Sequence, residues 1–150
     1  MSATLIAFVL GSTGAGPASA QTLPCVQVQT AMDVVNYLDT HDPVGSNIIS
    51  TYPILDLSTD PDQLLGLPGQ YISKAGFEDY RVNTADAYVE MFASLADRAA
   101  RLVALQRTVQ PISQETYLVT DLVLLRLPAG FTPTAVAEYR GLLRTVCTLP

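Results

Sequence analysis

The chain contains one histidine, His41, flanked by Asp39 and Asp42. Any Ser-His-Asp or Cys-His arrangement for nucleophilic catalysis would have to run through it. His41 falls where a helical pattern ends, and an imidazolium at a helix C-terminus is favoured by the helix dipole, so a capping role accounts for it. Cys25 and Cys147 sit in no G-x-S-x-G or papain-like context, and neither a C-x-x-C pair nor a zinc-type spacing occurs. The segment DLSTDPD at 56–62 places oxygens at Asp56, Ser58, Asp60 and Asp62, as calcium loops do. An EF-hand needs Gly and Glu where this chain has Pro61 and Leu67; Asp60 suits the cap of a helical turn instead. Glu78 and Asp79 are neighbours on a predicted strand, so they point to opposite faces and form no acid/base pair. GSTGAG at 11–16 lacks the Lys-Ser/Thr of a phosphate loop. These residues make up no catalytic set, no metal set and no cofactor cradle. A non-enzymatic binding or interaction module is therefore expected, and the alternative is an extracellular hydrolase using His41 with distant Ser and Asp residues.

The compartment follows from the N-terminal third. LIAFVL at 5–10 is too short to cross a bilayer as a helix. It is followed by small residues ending in Ala18-Ser19-Ala20, which satisfies a signal peptidase and predicts a signal peptide over 1–20. A positively charged n-region is missing, because the first basic residue is Lys74. Pro24 directly before Cys25 argues against a lipobox, so the two cysteines of an exported chain are expected to form one disulfide, Cys25–Cys147. The net charge is −6 and only 15% of residues are charged. That balance disfavours nucleic acid, which needs a basic stripe, and no Lys/Arg-rich amphipathic segment suits a membrane surface. The expected partner is an extracellular protein or a cell-envelope component, with no stable membrane span after cleavage.

Residues 21–150 are expected to form a single α+β domain. Thr30 and Asp33 open a helix carrying Val34, Val35 and Leu38. Residues 43–70, rich in Pro, Gly, Ser and Asp, are expected to be an ordered loop with one helical turn from Asp60-Pro61 to Gly66. Strands are predicted over 71–82 and 87–93, with a turn at 83–86. Ser94 and Asp97 cap a helix carrying Leu95, Ala99, Leu102, Val103 and Val109, which Pro111 stops. The apolar run 117–127 divides into two short strands around Thr120-Asp121. Thr132-Pro133 opens a last helix with Val136, Tyr139, Leu143 and Val146 inward. The predicted order is α-loop-ββαββα, a small mainly antiparallel sheet with helices packed on one face.

Three segments in this order, LLGLPGQYISKAGFEDYRV at 64–82, VEMFASLADRAAR at 89–101 and LVLLRLPAGFTPTAVAEYRGLL at 122–143, resemble a group of small secreted proteins and lipoproteins of high-GC Gram-positive bacteria. The resemblance spans most of 30–146 and rests on structural motifs. It implies export and fold but no catalytic residues. Many of that group carry a lipobox, from which this chain departs at Pro24.

Strand alternation then sorts the sheet residues. Ala75, Phe77, Val89, Met91, Val123, Leu125 and Leu127 are expected to face the helices. Lys74, Glu78 and Tyr80, with Tyr88, Glu90 and Phe92 and then Leu124 and Arg126, fall on the other face. That outer set is rich in aromatic and Arg side chains of the kind enriched in binding hot spots, and Lys74, Tyr80, Tyr88, Phe92 and Arg126 are its candidate binding residues. The competing expectation is that the 43–70 loop, through Ile48, Ile49, Tyr52 and Ile54, folds over this face and buries it.

Overall fold

The computed structural model describes residues 25–108 and 114–148; the expected signal peptide, and Val109 and Pro111 of the predicted helix end, lie outside the described residues. The elements are β1 (Val26–Val28), α1 (Ala31–Asp39), a short 3-10 turn at Gly45–Asn47, β2 (Ile48–Ile54), β3 (Tyr71–Asp79), β4 (Val82–Phe92), α2 (Leu95–Thr108), β5 (Thr116–Thr120), β6 (Val123–Leu127), α3 (Pro133–Leu143) and β7 (Val146–Thr148). Five strands form an antiparallel sheet in the order β2-β3-β4-β6-β5, and β1 pairs in parallel with β7. The fold is α+β with an antiparallel sheet, as the sequence predicts. No helix among the described residues is long and apolar enough to cross a membrane.

The helix starts follow the capping chemistry. The Thr30 hydroxyl accepts from the Asp33 N–H at 3.2 Å, while the Asp33 carboxylate accepts from the Thr30 N–H at 2.8 Å. Ser94 accepts from the Asp97 N–H at 3.1 Å, and Thr132 accepts from the Ala135 N–H at 3.2 Å, with Pro133 in the first turn. Val34, Val35 and Leu38 of α1 and Tyr139 and Leu143 of α3 pack on the inward residues of β3, β4 and β6, and all seven residues expected to face the helices are buried there. The disulfide joins Cys25 to Cys147 with the Cα atoms 5.7 Å apart, fastening β1 to β7.

Four local expectations are corrected. First, α2 lies on the opposite face of the sheet from α1 and α3: Leu102 and Leu105 pack with Tyr71, Phe92 and Leu124. The sequence shows that a helix is amphipathic but not which face of the sheet it covers. Second, 48–54 is the edge strand β2. Pro53 disguises it, and Pro is tolerated on an edge because its missing N–H is not needed for the ladder. No helix forms at Asp60-Pro61; Asp60 instead caps a run of turns, accepting from the N–H groups of Asp62, Leu64 and Leu65. Third, the hairpin turns at Tyr80-Arg81, where Asp79 pairs with Val82 and its carboxylate accepts from the Arg81 N–H at 2.9 Å. The polar run 83–86 read as a turn is a break in register instead, where β4 leaves β3 between Asp79/Val82 and Phe77/Ala87. Fourth, α3 stops at Leu143, and Val146, expected on that helix, belongs to β7.

Candidate functional site

Register builds the second face of the sheet in rungs. Tyr52, Gly76, Tyr88, Arg126 and Tyr117 are successive partners across all five strands, and Ile54, Lys74, Glu90, Leu124 and Val119 form the next rung. A bulge at Ile72, between the Tyr71/Phe92 and Ser73/Met91 pairs, rotates Tyr71 onto this face as well, where its ring meets Phe92 edge-on at 6.1 Å. Gly76 leaves a gap that the Tyr52 ring fills: a Cβ there would lie 2.4 Å from Tyr52 Cζ. Crossing β3 through this gap, the Tyr52 hydroxyl donates to Asp86 at 2.5 Å.

Half of the face is covered. The 60–65 segment and α2 close over it through a buried ion network. Lys74 Nζ lies 2.7 Å from Asp60 Oδ1, 2.5 Å from Asp62 Oδ2 and 3.9 Å from Glu90 Oε1. The Arg101 guanidinium from α2 grips both oxygens of Glu90, at 3.1 and 3.0 Å, and reaches Asp62 at 3.0 Å. Arg126 ties Asp62 at 2.7 Å and Glu90 at 3.0 Å, and its other edge meets both Glu115 oxygens. Burial by itself would raise the Asp60 pKa. The hydrogen bonds from Lys74 and the Tyr71 hydroxyl, then those from the backbone, overcome burial and hold this carboxyl well below its ordinary value. Asp62 is likewise lowered against burial, by the Lys74 hydrogen bond and the nearby Arg126, Lys74 and Arg101 charges. Burial would depress Arg126, yet Glu115, Glu90 and Asp62 raise it. Asp60, Asp62 and Arg126 are therefore charged at neutral pH.

The other half is open. Where β4 departs from β3, a cavity of about 500 Å³ is lined by Glu78, Val82, Asp86, Tyr88, Glu115 and Pro128, with Ile49, Thr84 and Ala85. Glu115 is its link to the network through Arg126. Glu78 is exposed and forms no ion pair among the described residues. Burial, followed by the Asp86 bond, raises the Tyr52 pKa, so its phenol remains a donor.

Of the sequence-predicted residues, Lys74, Tyr88 and Arg126 come together: Lys74 Nζ is 4.8 Å and the Arg126 guanidinium 5.8 Å from the Tyr88 ring centre. Tyr88 lines the cavity, Phe92 is fully buried in the small apolar cluster under α2, and Tyr80 stands apart at the exposed hairpin turn. The expected cover exists, but 60–65 and α2 supply it, while Ile48, Ile49, Tyr52 and Ile54 belong to β2. Sequence reasoning weighed Asp62 only as an oxygen of a calcium-type loop, and missed Arg101 and Glu115. Arg101 was findable, since it precedes Leu105 by four residues and so places a charge on the apolar stripe of α2.

His41 is exposed at the end of α1. Its Nδ1 is 2.8 Å from the Tyr37 carbonyl oxygen and 3.1 Å from the Thr40 hydroxyl, and its ring lies 4.0 Å from that of Tyr37. Helix α1 packs on the first face, away from the cavity. No family model, curated protein or solved structure matches this chain.

Proposed function

We propose that this protein is a secreted, non-enzymatic binding module that takes its ligand in the open half of the second sheet face. The observation that carries the reading is the division of that face. One half is sealed by charge pairs and α2, and the other is left as a cavity whose wall joins three carboxylates to a tyrosine ring and an apolar flank. Concave sites with an apolar lining and a few convergent polar groups are the common form of a ligand pocket. Its carboxylates favour a ligand bearing a positive charge, such as an amine or guanidinium on an extracellular protein or envelope component. Tyr88 supplies the ring face, and Arg126 orients Glu115. Export rests on the small-residue run ending at Ala20 and on the Cys25–Cys147 disulfide, which suits an oxidising compartment. The resemblance to small exported proteins of high-GC Gram-positive bacteria agrees with this.

Calorimetric titration with agmatine, a short guanidinium-bearing diamine, tests the reading. Binding should weaken several-fold in Glu78→Gln and Tyr88→Ala and be unchanged in His41→Ala. Loss of binding in His41→Ala alone would favour the hydrolase reading instead.

A further inference from the structure

We propose that the groove between β5 and α3 is a second binding site, which receives an extended acidic segment of a partner protein by strand addition to β5. The two edges of the sheet are β2 and β5, and they are treated differently. Edge β2 carries Pro53 and a register shift between Ile48 and Ser50, both devices that blunt an edge against pairing. Edge β5, Thr-Tyr-Leu-Val-Thr, has no Pro, Gly or charge and pairs with β6 without a shift. Among the described residues, no backbone group of another element bonds to β5 beyond that pairing. Its ladder positions are therefore open to another strand.

Beside this edge, α3 leaves a groove of about 240 Å³ lined by Tyr117, Leu118, Val119, Arg140, Leu143 and Arg144. Arg140 and Arg144 are exposed and, like Arg98 and Arg107, form no ion pair among the described residues, whereas Lys74, Arg81, Arg101 and Arg126 are paired; of the four unpaired cations, these two share one groove. In a chain of net charge −6, two unpaired cations in one groove mark it for the opposite sign. A helix dipole favours cations near this end of α3, but it does so on every side of the helix, and both arginines fall on the side that meets β5.

The spacing selects the ligand. Residues four apart on a helix are separated by about 6 Å along its axis, and alternate residues of a strand by about 6.6 Å. A peptide running along the groove with acids at alternate positions thus presents one carboxylate to each guanidinium, while its backbone completes the ladder. This is the edge-strand mode of peptide recognition, and it is independent of the acidic cavity on the second face.

The test is fluorescence anisotropy with a labelled peptide of about seven residues alternating Glu and Thr, read together with amide shifts. At low salt the peptide should bind and move the amides of Tyr117, Leu118 and Val119. The Arg140→Ala/Arg144→Ala variant, whose changes are on the surface, should weaken binding roughly tenfold with unfolding unchanged. A Lys-for-Glu peptide and one N-methylated at alternate residues should both fail to bind. Absence of binding at millimolar peptide would overturn the proposal. So would equal binding to the double variant or by the N-methylated peptide, shifts centred elsewhere, or a homodimer that closes β5 on itself.

Discussion

Replacing Lys74 by Met probes the network that seals half of the second face. Lys74 and Asp60 have no exposed side-chain area, and among the described residues Lys74 is the only cation paired with Asp60. Asp62 keeps Arg101 at 3.0 Å and Arg126 at 2.7 Å, so the loss falls on Asp60. A buried carboxylate stripped of its partner costs about 3–5 kcal/mol. Three backbone N–H donors and the Tyr71 hydroxyl remain, which places the expected cost near the lower end, about 3 kcal/mol at neutral pH. The sign with pH is set by the depressed Asp60 pKa. Its stabilisation is complete above the ordinary carboxylate value of 3.8 and fades as pH falls toward the lowered folded value. The gap between wild type and Lys74→Met should therefore be widest at neutral pH and shrink below about pH 4. Urea denaturation across this range measures it, with Lys74→Met/Asp60→Asn as the control that costs less than the two single changes summed. A loss under about 1 kcal/mol at neutral pH, or a gap that does not close in acid, would refute the reasoning.

Gly76→Ala should swing the Tyr52 ring off β3 and break its bond to Asp86, costing about 1–2 kcal/mol; the same change in a Tyr52→Ala background should cost much less, and an equal cost in both would show that the ring is not the obstacle. Reducing the disulfide opens a separation of 122 residues, which chain entropy values at up to about 5 kcal/mol; thermal unfolding with and without reductant reads this, and unchanged midpoints would contradict it. Tyr139→Phe removes the donor to Asp79 Oδ2 at 2.7 Å, and should cost about 1.5–3 kcal/mol in denaturant unfolding because the acceptor is a buried carboxylate. A neutral result would mean that Arg81 alone satisfies Asp79.

The parts of the fold legible in the sequence are those written in local chemistry. The caps at Thr30, Ser94 and Thr132 and the inward residues from Ala75 to Leu127 follow from capping geometry and period-two alternation. The lone pair of cysteines pointed to the disulfide. What sequence reasoning missed depends on contacts between distant segments. The polar run 83–86 has the composition of a turn, yet the Asp79 carboxylate makes the turn earlier, and Thr84, Ala85 and Asp86 line the cavity wall. The side taken by α2 sets Arg101 against Glu90 and Leu105 against Leu124 on the same face, a match between segments that neither pattern alone reveals. Lys74, Tyr88 and Arg126 were assigned to one face by alternation, but the carboxylates that neutralise two of them come from several segments: Asp60 and Asp62 of the 60–65 segment for Lys74, and Asp62, Glu90 and Glu115 for Arg126.

The most direct test of ligand binding at the open half of this face is an amide-shift titration of the wild-type protein with agmatine. Shifts should concentrate on Val82, Thr84, Asp86, Tyr88 and Glu115 around the cavity, while Tyr71, Lys74 and Glu90 under the cover and His41 just beyond α1 stay in place. Shifts centred on His41, or none at millimolar agmatine, would contradict the account.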